Sequence, residues 1–124
     1  MKDCPFCNLD QERIIQEYEF FNVVRDLYPV TEGHTLIIPK RYVESFFELT
    51  KEESKSLIEI LSEQKEKLSL SDKTITGFNI GINIGKDAGQ TIMHCHTHLI
   101  PRRHSDVTEP RGGVRGVIPD KQKY

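Results

Sequence analysis

A chain of 124 residues makes one domain and leaves too little core to divide between two. Seventeen Lys and Arg against nineteen Asp and Glu nearly cancel, which removes the electrostatic case for a nucleic-acid or anionic-membrane binder. No apolar run approaches the roughly 20 residues that span a bilayer, no secretory signal pattern opens the chain, and three cysteines suit a reducing interior, so a cytoplasmic protein is expected.

Cys4-Pro5-Phe6-Cys7 is the first motif. Two thiolates two residues apart reach one ion and form half of a tetrahedral zinc site, for which His94 is a candidate third ligand. A redox couple and two plain reduced thiols are the alternatives, although no thioredoxin-like strand and helix follow Cys7. Residues 14–16 and 18–25 read as adjacent short strands, rich in branched and aromatic side chains. Asp26 ends the second, before the bend Tyr28-Pro29-Val30-Thr31-Glu32-Gly33. Its carboxylate either caps that turn or accepts two hydroxyls of a sugar. Residues 34–39 form another strand.

Residues 42–49 hold a short helical turn, after which Thr50 and Glu53 have the spacing of a reciprocal capping box. From 51 to 70, Leu57, Ile58, Leu61 and Leu68 recur on one side of a predicted helix. Lys, Glu, Ser and Gln fill the other side, with Glu63 and Lys67 placed as an i,i+4 pair. This helix is read as scaffold covering one sheet face.

Phe78, Ile80, Ile82 and Ile84 then alternate as a half-buried strand, and residues 85–89 make a glycine-rich turn. Beyond it Met93, Cys95, Thr97 and Leu99 alternate with His94, His96 and His98, which predicts three imidazoles in a row on one face. Imidazole is a nucleophile, proton carrier or metal ligand near neutral pH. A neutral ring nitrogen can attack phosphorus and form a phosphoramidate, dividing one hard displacement into two. His96, in the middle, is the candidate nucleophile. His98 is placed to donate to a phosphoryl or bridging oxygen, and His94 to hold the tautomer of His96. Gln90 and Thr91 bring an amide, a hydroxyl and glycine-flanked N–H groups that suit phosphate oxygens. A metal centre on the three histidines competes with this reading but lacks a nearby carboxylate, and a polar sheet face carrying idle imidazoles is the bland alternative.

Residues 103–124 read as an arm broken by Pro110, Gly112, Gly113 and Pro119, with Val114, Val117 and Ile118 as apolar anchors. It is either solvated or packed on a partner, or it brings an arginine to a polyphosphate.

The run His94-Cys95-His96-Thr97-His98-Leu99-Ile100, with Ala88-Gly89-Gln90-Thr91 before it, resembles the His-φ-His-φ-His-φ-φ signature of the histidine triad (HIT) superfamily, φ being apolar. The likeness runs from the first cysteine pair through Gly33-His34 to Ile100-Pro101-Arg102. It implies a single α+β domain over 1–124, with a mostly antiparallel five-stranded sheet, one long helix, a short helix and an irregular C-terminal arm at 103–124. It also implies a homodimer with a continuous sheet. The implied activity is nucleotide hydrolysis at the alpha phosphate of a dinucleoside polyphosphate or nucleoside phosphoramidate, purine favoured, through a nucleotidyl-histidine intermediate on His96. His98, His94 and Gln90 would assist; Asp26 would hold the ribose hydroxyls, and Asn83, Gln90, Thr91 and His98 the phosphate side. His34 matches a buried histidine that supports the triad. A nucleotidyltransferase or phosphorylase would use the same intermediate, and a non-catalytic nucleotide-binding protein the same scaffold.

Three departures qualify the likeness. Thr97 stands at an apolar position of the signature. Relatives with such a cysteine pair often hold zinc with a histidine in a Pro-Lys-Arg-His stretch, where this chain has Pro39-Lys40-Arg41-Tyr42. No cofactor is therefore required, and zinc is expected at Cys4, Cys7 and His94 only as a weakly held ion. The tail Pro110-Arg111-Gly112-Gly113-Val114-Arg115 resembles that of prokaryotic dinucleoside polyphosphate hydrolases, although phosphoramidate hydrolases share nearly all the same residues.

Overall fold

The computed structural model describes residues 4–124; the first three residues of the expected 1–124 domain lie outside them. The strands are β1 (Ile14–Glu17), β2 (Phe21–Arg25), β3 (Thr35–Pro39), β4 (Ile75–Gly81) and β5 (Thr97–Arg103), with α1 (Lys51–Ser71) between β3 and β4. They form one sheet in the order β1-β2-β3-β5-β4, and every neighbouring pair is antiparallel. The fold is α+β, with one long helix. The expected short helix is a single 3₁₀ turn, Phe46–Glu48, closed by a Ser45–Glu48 capping box.

Register decides which residues meet. Val23 pairs with Ile37 and Ile37 with Thr97, which gathers one face of the sheet, and Leu57 and Ile60 of α1 bury Val23 and Ile37 there. Val24 pairs with Leu36 and Leu36 with His98 on the opposite face, where Phe6 and Leu9 pack against Val24 and Leu36. The central strand β3 is consequently buried along its whole length. The amino-terminal segment is thus the lid of the face that carries His98.

Thr50 and Glu53 form the reciprocal cap as predicted: Thr50 Oγ1 accepts from the Glu53 N–H at 3.0 Å, and Glu53 Oε1 from the Thr50 N–H at 2.8 Å. The buried stripe of α1 is Glu53, Leu57, Ile60, Gln64 and Leu68, which corrects the expected one. Ile58 is 70% exposed because it lies one residue, about 100°, off that line. Gln64 tolerates burial by donating to Gln16 Oε1 at 2.8 Å and to the Tyr18 hydroxyl at 3.2 Å. Glu63 and Lys67 do pair, at 3.4 Å.

Two strands are shorter than their hydrophobic patterns. Residues 18–20 turn the chain, with the Tyr18 N–H donating to Phe21 O at 2.8 Å, so β2 opens at Phe21. β4 ends at Gly81, opposite His98, and excludes Ile82 and Ile84 because β5 offers no partner before Thr97. In the arm, Val114, Val117 and Ile118 are exposed and not buried as anchors. The arm closes on itself instead: the guanidinium groups of Arg111 and Arg115 lie 4.9 and 4.8 Å from the centre of the Tyr124 ring. Among the described residues, no helix is long and apolar enough to cross a membrane.

Candidate active site

The loop from β4 to β5 delivers the histidines, and Gln90 holds the loop. Gly85 and Gly89 adopt φ of +91° and +95°, a backbone that side chains disfavour, and this curls the chain tightly enough to enclose the Gln90 amide. That side chain is 4% exposed. Its Oε1 accepts from the Gly85 N–H at 2.9 Å, and its Nε2 donates to Glu44 O at 2.9 Å and Ile92 O at 3.1 Å. The Gln90 amide, expected on the phosphate, is engaged here by the loop and faces inward. Asn83, half-buried, follows two residues after the Gly81–His98 pair, and Thr91 is exposed at the far end of the loop.

The predicted row of three imidazoles splits. β5 begins only at Thr97, and the Cys95 N–H leaves the ladder to donate to Val43 O at 2.7 Å. The rings of His96 and His98 stay neighbours, 5.2 Å between centres. His94 is fully buried and turns to the cysteines. It does fix the tautomer of His96, but through its carbonyl: His96 Nδ1 donates to His94 O at 2.8 Å, which leaves Nε2 with a free lone pair. Phe6 packs edge-on against His96 with centres 4.8 Å apart.

His98 is set through His34. The Val30 N–H donates to His34 Nδ1 at 3.1 Å, so the proton of neutral His34 sits on Nε2. That nitrogen lies 2.9 Å from His98 Nδ1, which must accept, and the proton of neutral His98 is then on Nε2. Asp26 Oδ2 lies 3.4 Å from the same His34 nitrogen, while Asp26 Oδ1 accepts from the Tyr28 N–H at 2.8 Å. Asp26 thus caps its turn and also faces His34. Asp26, His34 and His98 cluster closely enough to suggest a metal, yet the His34 proton points into the place an ion would need. Burial, then the neighbouring His96 and His34, push His98 down to about 4, against the pull of Asp26. Burial also lowers His34, with Asp26 opposing. Both rings are neutral at neutral pH.

His94 Nε2 donates to Pro39 O at 2.7 Å, so its Nδ1 lone pair faces Cys4 Sγ at 3.4 Å and Cys7 Sγ at 3.3 Å. Zinc bonds of about 2.3 Å to sulfur and 2.0 Å to nitrogen place such atoms roughly 3.5 Å apart. Three donors therefore fit zinc. The fourth does not: the Tyr42 ring lies edge-on to His94, 5.4 Å between centres, and its hydroxyl donates to Glu44 Oε1 at 3.3 Å. Burial and the adjacent Cys4 push the Cys7 thiol up to about 11, so it is protonated until a metal displaces the proton. Phe6, the Val30 N–H and the Pro39 carbonyl were missed from sequence. Only Phe6, an aromatic between two cysteines, carries a signal there.

The HIT domain model matches residues 9–105. The chain belongs to the HIT family. The match leaves the cysteine pair before it and most of the arm after it. An uncharacterised HIT-like protein of Saccharolobus solfataricus is 34% identical over 110 residues, covering 83% of this chain and 76% of that protein. A bis(5'-nucleosyl)-tetraphosphatase (asymmetrical) of Schizosaccharomyces pombe is 37% identical over 86 residues, 68% of this chain and 46% of the yeast protein. Among solved structures, a zinc-bound histidine triad family protein of Mycobacterium smegmatis matches with a TM-score of 0.77 and 32% identity, over 87% of this chain and 81% of that one. The HIT family thus includes a nucleotide hydrolase among this chain's relatives.

Proposed function

We propose that this HIT protein hydrolyses a dinucleoside polyphosphate or nucleoside phosphoramidate at the alpha phosphate, by way of a nucleotidyl group on His96 Nε2. The observation that carries the reading is the His96 Nδ1–His94 O bond, which aims an unprotonated Nε2 outward beside a neutral His98. His96 Nε2 attacks phosphorus, and the bond to the leaving group breaks. A phosphate leaving group departs as an anion, while an amine departs with a proton taken from solvent, and His98 Nε2–H donates to a phosphoryl oxygen throughout. The positive charge that develops on His96 is stabilised through its Nδ1–H by the His94 carbonyl. Water then attacks phosphorus, loses a proton and restores neutral His96. The yeast relative's hydrolase name supports a water acceptor over another nucleophile.

Asp26 is assigned to the ribose hydroxyls, with Asn83 and Thr91 on the phosphate side. Half-buried Leu9 and Ile14, packed on the buried Val24 two residues before Asp26, are the proposed apolar bed for a purine. Residues 4–124 act as one domain on this reading, in the cytoplasm, without need of a cofactor. The free side of the edge strand β4, where Ile80 is exposed, is the proposed seam of a homodimer. The test is His96→Ala, assayed by single-turnover release of nucleoside monophosphate from both substrate types. A loss of roughly a thousandfold or more is expected; near-native rates on whichever substrate the parent cleaves would sink the covalent mechanism.

A further inference from the structure

The nucleophile stands part-way along a run of contacts. Asp26 faces His34, the ring centres of His34 and His98 are 5.1 Å apart, and those of His98 and His96 are 5.2 Å apart. His96 is bonded to the His94 carbonyl, and the His94 ring meets the Tyr42 ring at 5.4 Å. Asp26 and Tyr42 are therefore at opposite ends of the run, with His96 between them. At the Tyr42 end lies a cleft of about 390 Å³, walled by Cys4, Pro5, Tyr42, Thr91, Ile92 and Met93. That volume falls within the roughly 300–1,000 Å³ of small-molecule sites. Thr91, assigned to the phosphate side, makes the cleft continuous with the site. Pro5 precedes Phe6, which packs on the His96 ring, so the cleft adjoins the nucleophile as well. Among the described residues that wall it there is no Lys, Arg, Asp or Glu, which suits an uncharged ring and not a phosphate. Tyr42 and Met93 are its exposed large side chains, and the Tyr42 hydroxyl is tethered to Glu44.

We infer that this cleft takes the second nucleobase of a dinucleoside polyphosphate, the one that departs with the leaving group. The inference rests on the proposed function and chooses between its two substrate classes. His96 Nε2 forms its bond to the alpha phosphorus, and the bond from that phosphorus to the bridging oxygen breaks. The rest of the bridge leaves as a nucleoside polyphosphate anion, whose base is held against Tyr42 and Met93. An aromatic ring beside a thioether suits this task, because every base has a π face and sulfur packs well on it. Adenosine 5′-phosphoramidate loses only ammonia and leaves the cleft unused. Dinucleoside polyphosphates are therefore the preferred class, and the residue that denies zinc a fourth ligand is the one that supplies the aromatic wall.

The test is kcat/KM for diadenosine tetraphosphate, adenosine 5′-tetraphosphate and adenosine 5′-phosphoramidate. All three present the same adenylyl group to His96, and only the first brings a second base. Tyr42→Ala should lower the ratio of diadenosine tetraphosphate to phosphoramidate about tenfold, the scale of one lost base–aromatic stack. A ratio taken within one protein cancels any loss common to both substrates. Met93→Ala should lower the ratio in the same direction and stands in if Tyr42→Ala does not fold. Tyr42→Phe keeps the ring and should keep the parent's ratio. Adenosine 5′-tetraphosphate carries the phosphates without the base, so its ratio to phosphoramidate should stay within about twofold in every variant. The parent's ratio retained in both alanine variants, an equal fall with adenosine 5′-tetraphosphate, or a Tyr42→Phe protein as impaired as Tyr42→Ala would overturn the inference. So would a parent that cleaves the phosphoramidate and not diadenosine tetraphosphate, a result that leaves the covalent mechanism standing. A parent that cleaves none of the three brings down the proposed function itself.

Discussion

Replacing Gln90 by Leu separates a loop-holding amide from a catalytic one. The substitution keeps the bulk of a side chain that is 4% exposed and removes three hydrogen bonds of 2.9, 2.9 and 3.1 Å. It leaves the Gly85 N–H and the Glu44 and Ile92 carbonyls without partners. A typical bond contributes about 1 kcal/mol net, and a buried group left unsatisfied costs about 1–3 kcal/mol. Water entering from the exposed side of the loop relieves part of this, so the expected loss is about 3 kcal/mol. Against a total of about 5–15 kcal/mol that is large. With a urea slope of about 1.5 kcal/mol/M, the unfolding midpoint should fall by roughly 2 M. Gln90→Glu should be worse, because a carboxylate would face the Glu44 and Ile92 carbonyls in place of a donor. Urea titrations read alongside single-turnover rates separate the two roles. A Gln90→Leu protein with the parent's midpoint and abolished turnover would refute this reasoning and return the amide to the phosphate.

Zinc content should be below one firmly held ion per chain after expression with added zinc and brief exposure to a mild chelator, because Tyr42 withholds a fourth ligand; Tyr42→His should raise it to one. One zinc per chain surviving that treatment in the parent, and lost in Cys4→Ser or Cys7→Ser, would contradict this. Acid stability follows from His34 and His98, both held below the unfolded value of about 6.5. The unfolded chain therefore binds more protons as pH falls below that value, so the stability these rings contribute is complete above about pH 6.5 and is lost toward about pH 4. Tm should drop steadily over that window, whereas a flat Tm from pH 7 to 4.5 would mean that the rings are not buried neutral.

Local chemistry was legible where it is local. Thr50 and Glu53 announced the start of α1, since a cap involves residues three apart. The 82–84 and 18–20 stretches were overextended because hydrophobic alternation says nothing of where a partner strand stops. Ile58 and Ile60 are equally apolar, and only the path of the sheet beneath α1 decides which one is covered. Alternation predicts the three imidazoles as a row, and the Cys95 bond to Val43 O takes His94 out of strand geometry and breaks it. The glycines beside Gln90 also shape the loop that encloses its amide, a packing that the sequence pattern does not display. The tautomers rest on the Val30 N–H and on the His94 and Pro39 carbonyls, backbone groups that no side-chain pattern displays.

The most direct test of the central claim is to catch the nucleotidyl group. The parent protein would be mixed with excess adenosine 5′-phosphoramidate or diadenosine tetraphosphate, quenched within milliseconds, kept at alkaline pH where a phosphoramidate bond survives, and mapped by mass spectrometry. An adenylyl mass on the peptide containing His96, formed and lost at rates that account for turnover and absent from His96→Ala, is the predicted result. Full turnover with no adduct at any time, in a His96→Ala protein that still cleaves, would contradict the account.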